Sequence, residues 1–90
     1  MATNCTVRVA SPLRSYTGGA ASVAASGATV AELLADLDRR YPGMRFRMID
    51  EQDGIRPHIR LFVDSNEVRD LGARVGTNQV LHLICALSGG

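Results

Sequence analysis

The sequence predicts an α+β domain in which a mixed sheet of four to five strands packs on one main helix. Three stretches carry that prediction. Residues 5–10 alternate, with Cys5, Val7 and Val9 on one side and Thr6 and Arg8 on the other, the pattern of a strand with one buried face. Thr29-Val30-Ala31-Glu32 opens a segment in which Val30, Leu33, Leu34 and Leu37 recur at helical spacing. Val80-Leu81-His82-Leu83-Ile84 is apolar on both parities, as an interior strand is.

The remaining elements follow in chain order. Ser11-Pro12 stops the first strand, residues 13–19 supply turn chemistry, and residues 21–25 return as a second strand around Val23. Gly18-Gly19 leads into a strand and not into a helix N-terminus, so it reads as a loop and not as a phosphate cradle. After the break at Ser26-Gly27, the Thr29 hydroxyl and the Glu32 side chain can satisfy free amides at the helix start. Glu32, Asp36 and Arg39 are expected on the solvated face, Arg39-Arg40 suits the negative end of the helix dipole, and Pro42-Gly43 terminates the helix. Residues 44–49 alternate apolar residues with arginine and are expected to form an extended or irregular connector that packs Phe46, followed by an exposed loop over 50–54. Residues 59–63 make a third strand, 64–66 its turn and 67–69 a short return. Leu71 is expected to plug the core before Gly76-Thr77-Asn78 turns the chain into the last strand.

A β-β-α-β-β order leaves the doubly apolar last strand one place, inside the sheet and parallel to the first. Cys5 then begins one central strand and Cys85 ends its neighbour. Several residues of rise, roughly 3.3 Å each, separate them, too far for a disulfide.

Composition removes many functions. Ninety residues, 46% apolar, hold one core, and a net charge of +1 offers no global field for nucleic acid or anionic lipid. Arg45 and Arg47 around Phe46 resemble a basic patch with an interleaved aromatic, but aromatic content is low and no nucleic-acid partner is expected. All ten basic residues are arginine, so no lysine can serve a nucleotide phosphate, a Schiff base or an isopeptide bond. Two cysteines cannot hold an iron–sulfur cluster, and His82 has no second metal ligand at a suitable spacing. No apolar run reaches a membrane span and the N-terminus has no leader-like pattern, so the expectation is a soluble cytoplasmic protein without membrane partner, metal or bound cofactor.

What remains is the end of the chain. Residues 1–86 are expected to form the domain and 87–90, Leu87-Ser88-Gly89-Gly90, a flexible tail. Glycine carries no Cβ, so such a tail can thread a narrow channel and deliver its carboxylate. Gly-Gly after an apolar last strand, together with the block Arg56-Pro57-His58-Ile59-Arg60-Leu61-Phe62-Val63-Asp64 and the helix opening at Thr29, resembles the MoaD/ThiS family of ubiquitin-like sulfur carriers of the β-grasp superfamily. The resemblance covers almost the whole length.

It implies that the protein is a cosubstrate and no enzyme. An E1-like adenylyltransferase would use ATP to adenylate Gly90, and a sulfur donor would convert the acyl-adenylate to a thiocarboxylate. That sulfur would pass to a biosynthetic enzyme of cysteine, thiamine, molybdopterin or another sulfur-containing metabolite. Leu87, Ser88 and Gly89 would give access to the partner's active site. Strand parity and the ubiquitin-like alignment put Leu61, Val63, Leu81 and Leu83 inward, leaving Phe62, His82 and Ile84 outward as a partner surface rimmed by Arg60 and Arg8. Related carriers often have proline where Cys85 stands. Some carry residues beyond Gly-Gly that a protease removes, and this chain is expected to be activatable as made. A ubiquitin-like modifier conjugated through Gly90 and a β-grasp interaction module with an incidental Gly-Gly are the competing readings.

Overall fold

A computed structural model describes residues 4–85. Strand β1 (Asn4–Val9) is followed by a 3-10 turn over Ser11–Leu13, strand β2 (Ser22–Ser26), helix α1 (Val30–Arg40), a short helix α2 (Met44–Met48), and strands β3 (Ile59–Val63), β4 (Asn66–Val68) and β5 (Val80–Cys85). The sheet order is β2-β1-β5-β3-β4. The β1–β5 pair is parallel and the other pairings are antiparallel. The expected mixed sheet is therefore present, with five strands and the last strand beside the first. This is a β-grasp arrangement.

One face of the sheet packs on the helices. Val7, Val9, Leu61, Val63, Leu81 and Leu83 from the strands meet Val30, Leu33, Leu34 and Leu37 of α1, all buried. At about 25 cal/mol per Å² of apolar surface removed from water, this layer is the main source of stability. The start of α1 forms as the capping box requires: Thr29 Oγ1 accepts from Glu32 N at 3.2 Å, and Glu32 Oε1 accepts from Ala28 N at 2.7 Å. The first two amides of the helix are also used, because Val30 N donates to Ala73 O and Ala31 N to Leu71 O. The 71–75 segment thus closes the helix N-terminus as Leu71 packs against the core.

Two expectations are corrected. Asp36 is not on the solvated face: it is 5% exposed, its Oδ2 accepts from Ser26 N at 2.9 Å, and Arg39 and Arg40 both pair with it. The adjoining end of β2 brings a backbone amide that needs an acceptor, and the carboxylate faces it. Residues 44–48 are helical and not extended. Met44 and Met48 lie one turn apart on a single side and are fully buried, which turns Phe46 outward at 55% exposure instead of packing it.

Candidate functional site

β5 is central to the sheet, and its even-numbered side chains face away from the helices. Register builds a row across that open face. Arg8 of β1 stands beside His82, His82 stands opposite Phe62 of β3, and Phe62 stands opposite Glu67 of β4. The next row toward the end of β5 pairs Ile84 with Arg60. Phe62 and His82 are half-buried and Ile84 is exposed. The five residues expected on a common surface, Arg8, Arg60, Phe62, His82 and Ile84, do share one, because period-two alternation and the register of three adjacent strands leave no other option.

The surface has a depression at one edge. Arg8, Pro12, Arg14, His82, Ile84 and Cys85 line an open groove of about 530 Å³ where the chain leaves β1. Arg14 is pinned there by its Nε, which donates to Val9 O at 3.0 Å. Sequence reasoning missed Arg14, which lies in a turn without periodicity. On the other edge Glu67 Oε1 lies 3.8 Å from both Arg60 and Arg69, so Arg60 is partly compensated. Exposed pairs of this kind are worth about 0–1 kcal/mol; Arg60 stays available to a partner.

The described part of β5 ends at Cys85, in register with Ile59. The expected tail residues Leu87, Ser88, Gly89 and Gly90, and the 86/87 boundary, lie outside the described residues. Burial pushes the Cys85 thiol above its ordinary pKa, with Arg47 pulling the other way. Cys5 is buried and also raised by burial, its Sγ 3.4 Å from Gly76 O. Neither is poised as a thiolate at neutral pH. Among the described residues no cluster of three His, Cys, Asp or Glu could hold a metal ion, and no helix is long and apolar enough to cross a membrane.

A sequence model of the ThiS family matches residues 7–90. The chain belongs to the ThiS family. This ThiS-family protein is 30% identical to the sulfur carrier protein CysO of Mycobacterium tuberculosis over 92 residues, which cover 97% of this chain and 99% of CysO. It superimposes with a TM-score of 0.89 on a chain from the Amycolatopsis orientalis BexX/CysO complex, at 35% identity over 96% of this chain and 99% of that one. The small archaeal modifier protein 1 of Methanosarcina acetivorans shares the fold, with a TM-score of 0.83 at 19% identity over 100% of this chain and 99% of that one.

Proposed function

We propose that this ThiS-family protein is a sulfur carrier whose reacting group is the carboxylate of Gly90. End-to-end similarity to the sulfur carrier CysO is the observation that carries the reading. A carboxylate is a poor electrophile because its leaving group would be oxide. In the proposed sequence, an oxygen of Gly90 attacks the α-phosphorus of ATP on an E1-like adenylyltransferase and expels pyrophosphate. The terminal sulfur of a persulfide donor then displaces AMP to form an acyl disulfide, and a second thiol of the donor cleaves its S–S bond, leaving a thiocarboxylate on the carrier and a disulfide on the donor. The carrier contributes no acid, base or cofactor to any of these steps. It contributes a stable stem, a slender end in Ser88-Gly89-Gly90, and a surface by which the partner finds it.

That surface is the open face of the sheet around Phe62, His82 and Ile84, with Arg8 and Arg60 at its rim. Half-buried aromatic groups beside an exposed aliphatic one, bordered by arginine, are the composition of protein interfaces. A sulfur-accepting biosynthetic enzyme would be the second partner. Both free cysteines fit a reducing cytoplasm.

The test is incubation with the activating enzyme of the same organism, ATP and a sulfide source, followed by intact-mass measurement. Replacement of one oxygen by sulfur, abolished by removal of Gly90, is the expected result. A covalent adduct to another protein in place of the sulfur exchange would establish the modifier reading instead, and formation of neither product would favour the interaction module.

A further inference from the structure

The largest exposed apolar side chain among the described residues is outside the open sheet face: Phe46, on α2. Its ring forms a plate with the side chain of Arg56. The Arg56 guanidinium lies 4.5 Å from the ring centroid, and Arg56 Nε donates to Phe46 O at 2.7 Å. Arg56 is itself fixed by its backbone, which donates to Met48 O at 2.9 Å. With Arg47 and His58, the plate lines a hollow of about 310 Å³.

Its two arginines are in no direct ion pair among the described residues. Arg45 pairs with Asp53, but among the described residues neither Arg47 nor Arg56 lies within ion-pair distance of a carboxylate. Asp50 is near enough to feel Arg56, yet its Oδ1 is already engaged by the amides of Gln52 and Gly54.

Location adds the third observation. His58 precedes Ile59, the residue paired with Cys85, and the Arg47 charge opposes the effect of burial on the Cys85 thiol. Gly90 stands five positions beyond Cys85, and five residues fully extended reach at most about 18 Å. An active site that receives Gly90 must therefore lie close to Cys85, and the enzyme around it must pack on whatever surrounds that point. On the sheet side this is Ile84 and Arg60. On the helix side it is the hollow at Phe46.

We propose that Phe46, Arg47, Arg56 and His58 form a second docking surface, which receives a carboxylate-lined rim of the activating enzyme beside its tail channel. The proposal rests on the sulfur-carrier reading above. Unpaired arginines steer an acidic partner and fix its register. An exposed aromatic held flat by a guanidinium loses little entropy on burial, as interface anchors require. The two surfaces would grip the channel mouth from opposite sides of the sheet.

The experiment is pyrophosphate release by the E1-like adenylyltransferase of the same organism at varied carrier concentration. Phe46→Ala and Arg47→Glu should each raise KM for the carrier at least about tenfold, with kcat retained and thermal melts matching the parent chain. Arg47→Lys should restore most of the loss. Added salt should raise the parent's KM more than that of Arg47→Glu. If both folded variants stay within about twofold of the parent, the docking surface is overturned and the carrier reading stands. If the parent chain itself yields no pyrophosphate, the carrier reading falls and the docking surface with it.

Discussion

The carboxylate of Asp36, in the middle of α1, accepts a hydrogen bond from the backbone amide of Ser26 at the end of β2, 2.9 Å away. This contact ties the helix to an edge strand across ten residues of chain. Arg39 and Arg40, both solvated, hold the same carboxylate from outside. Asp36→Ala leaves the Ser26 amide without its acceptor, and urea unfolding should show a loss of about 2 kcal/mol. Asp36→Asn keeps an oxygen for Ser26 and should lose less. Equal losses would mean that the arginine pairing, and not the amide bond, carries the contribution.

Gly27 sits where a side chain has no room. Its φ is +154°, and a Cβ there would meet Glu32 Cβ at 2.7 Å and the Leu33 backbone nitrogen at 2.9 Å. The first turn of α1 is backbone and cannot rotate aside. Gly27→Ala should therefore cost about 1–3 kcal/mol, while Gly19→Ala, which meets nothing within 4 Å and suffers only its positive φ, should cost less. Thermal melts of the two variants compare them directly.

Asp50 should make stability depend on pH at the acid end. The amides of Gly54 and then Gln52, with Arg56 adding, hold its carboxyl below the usual carboxylate range. A lowered folded pKa contributes stability that is fully present above the unfolded value of about 3.9 and is lost as pH falls through the folded value. Urea midpoints should accordingly drop more steeply in the parent chain than in Asp50→Asn below about pH 4. Parallel profiles would show that the 50–54 loop opens without cost to the fold.

Phe62→Ala and Ile84→Ala should each weaken adenylation without unfolding the domain, since both side chains lie on the face away from the core. A tenfold rise in KM for the carrier corresponds to about 1.4 kcal/mol of lost contact. Normal adenylation kinetics in both folded variants would remove the open face from the partner surface.

Cys85 borders the tail but should not take part in sulfur loading. Cys85→Ser is expected to form thiocarboxylate at the parent rate. In a Cys5→Ser background, Arg47→Gln should slow alkylation of Cys85 near pH 8, because removing the nearby positive charge lets burial push the thiol pKa higher still. Faster alkylation would place Arg47 as a steric shield instead.

Most of the scaffold was legible in the residues themselves. Strand parity in 5–9, 59–63 and 80–84 and the Thr29/Glu32 cap depend on neighbours in sequence, so the inward residues, the helix start and the shared face of Phe62, His82 and Ile84 followed from local pattern. Residues 44–48 show where pattern is ambiguous. Met-Arg-Phe-Arg-Met satisfies a period of two, yet Met44 and Met48 also satisfy a helical turn, and a short apolar run cannot separate the two.

By itself, then, the sequence determined the strand faces, the capped helix and the Gly-Gly ending, each a matter of spacing along the chain. Only the tertiary structure decided that Asp36 is buried, that Phe46 is exposed under Arg56, and that the Arg47 charge acts on Cys85. Those relationships join residues 10 to 38 positions apart, and they exist because packing the helices on the sheet brings together groups that no local period encodes.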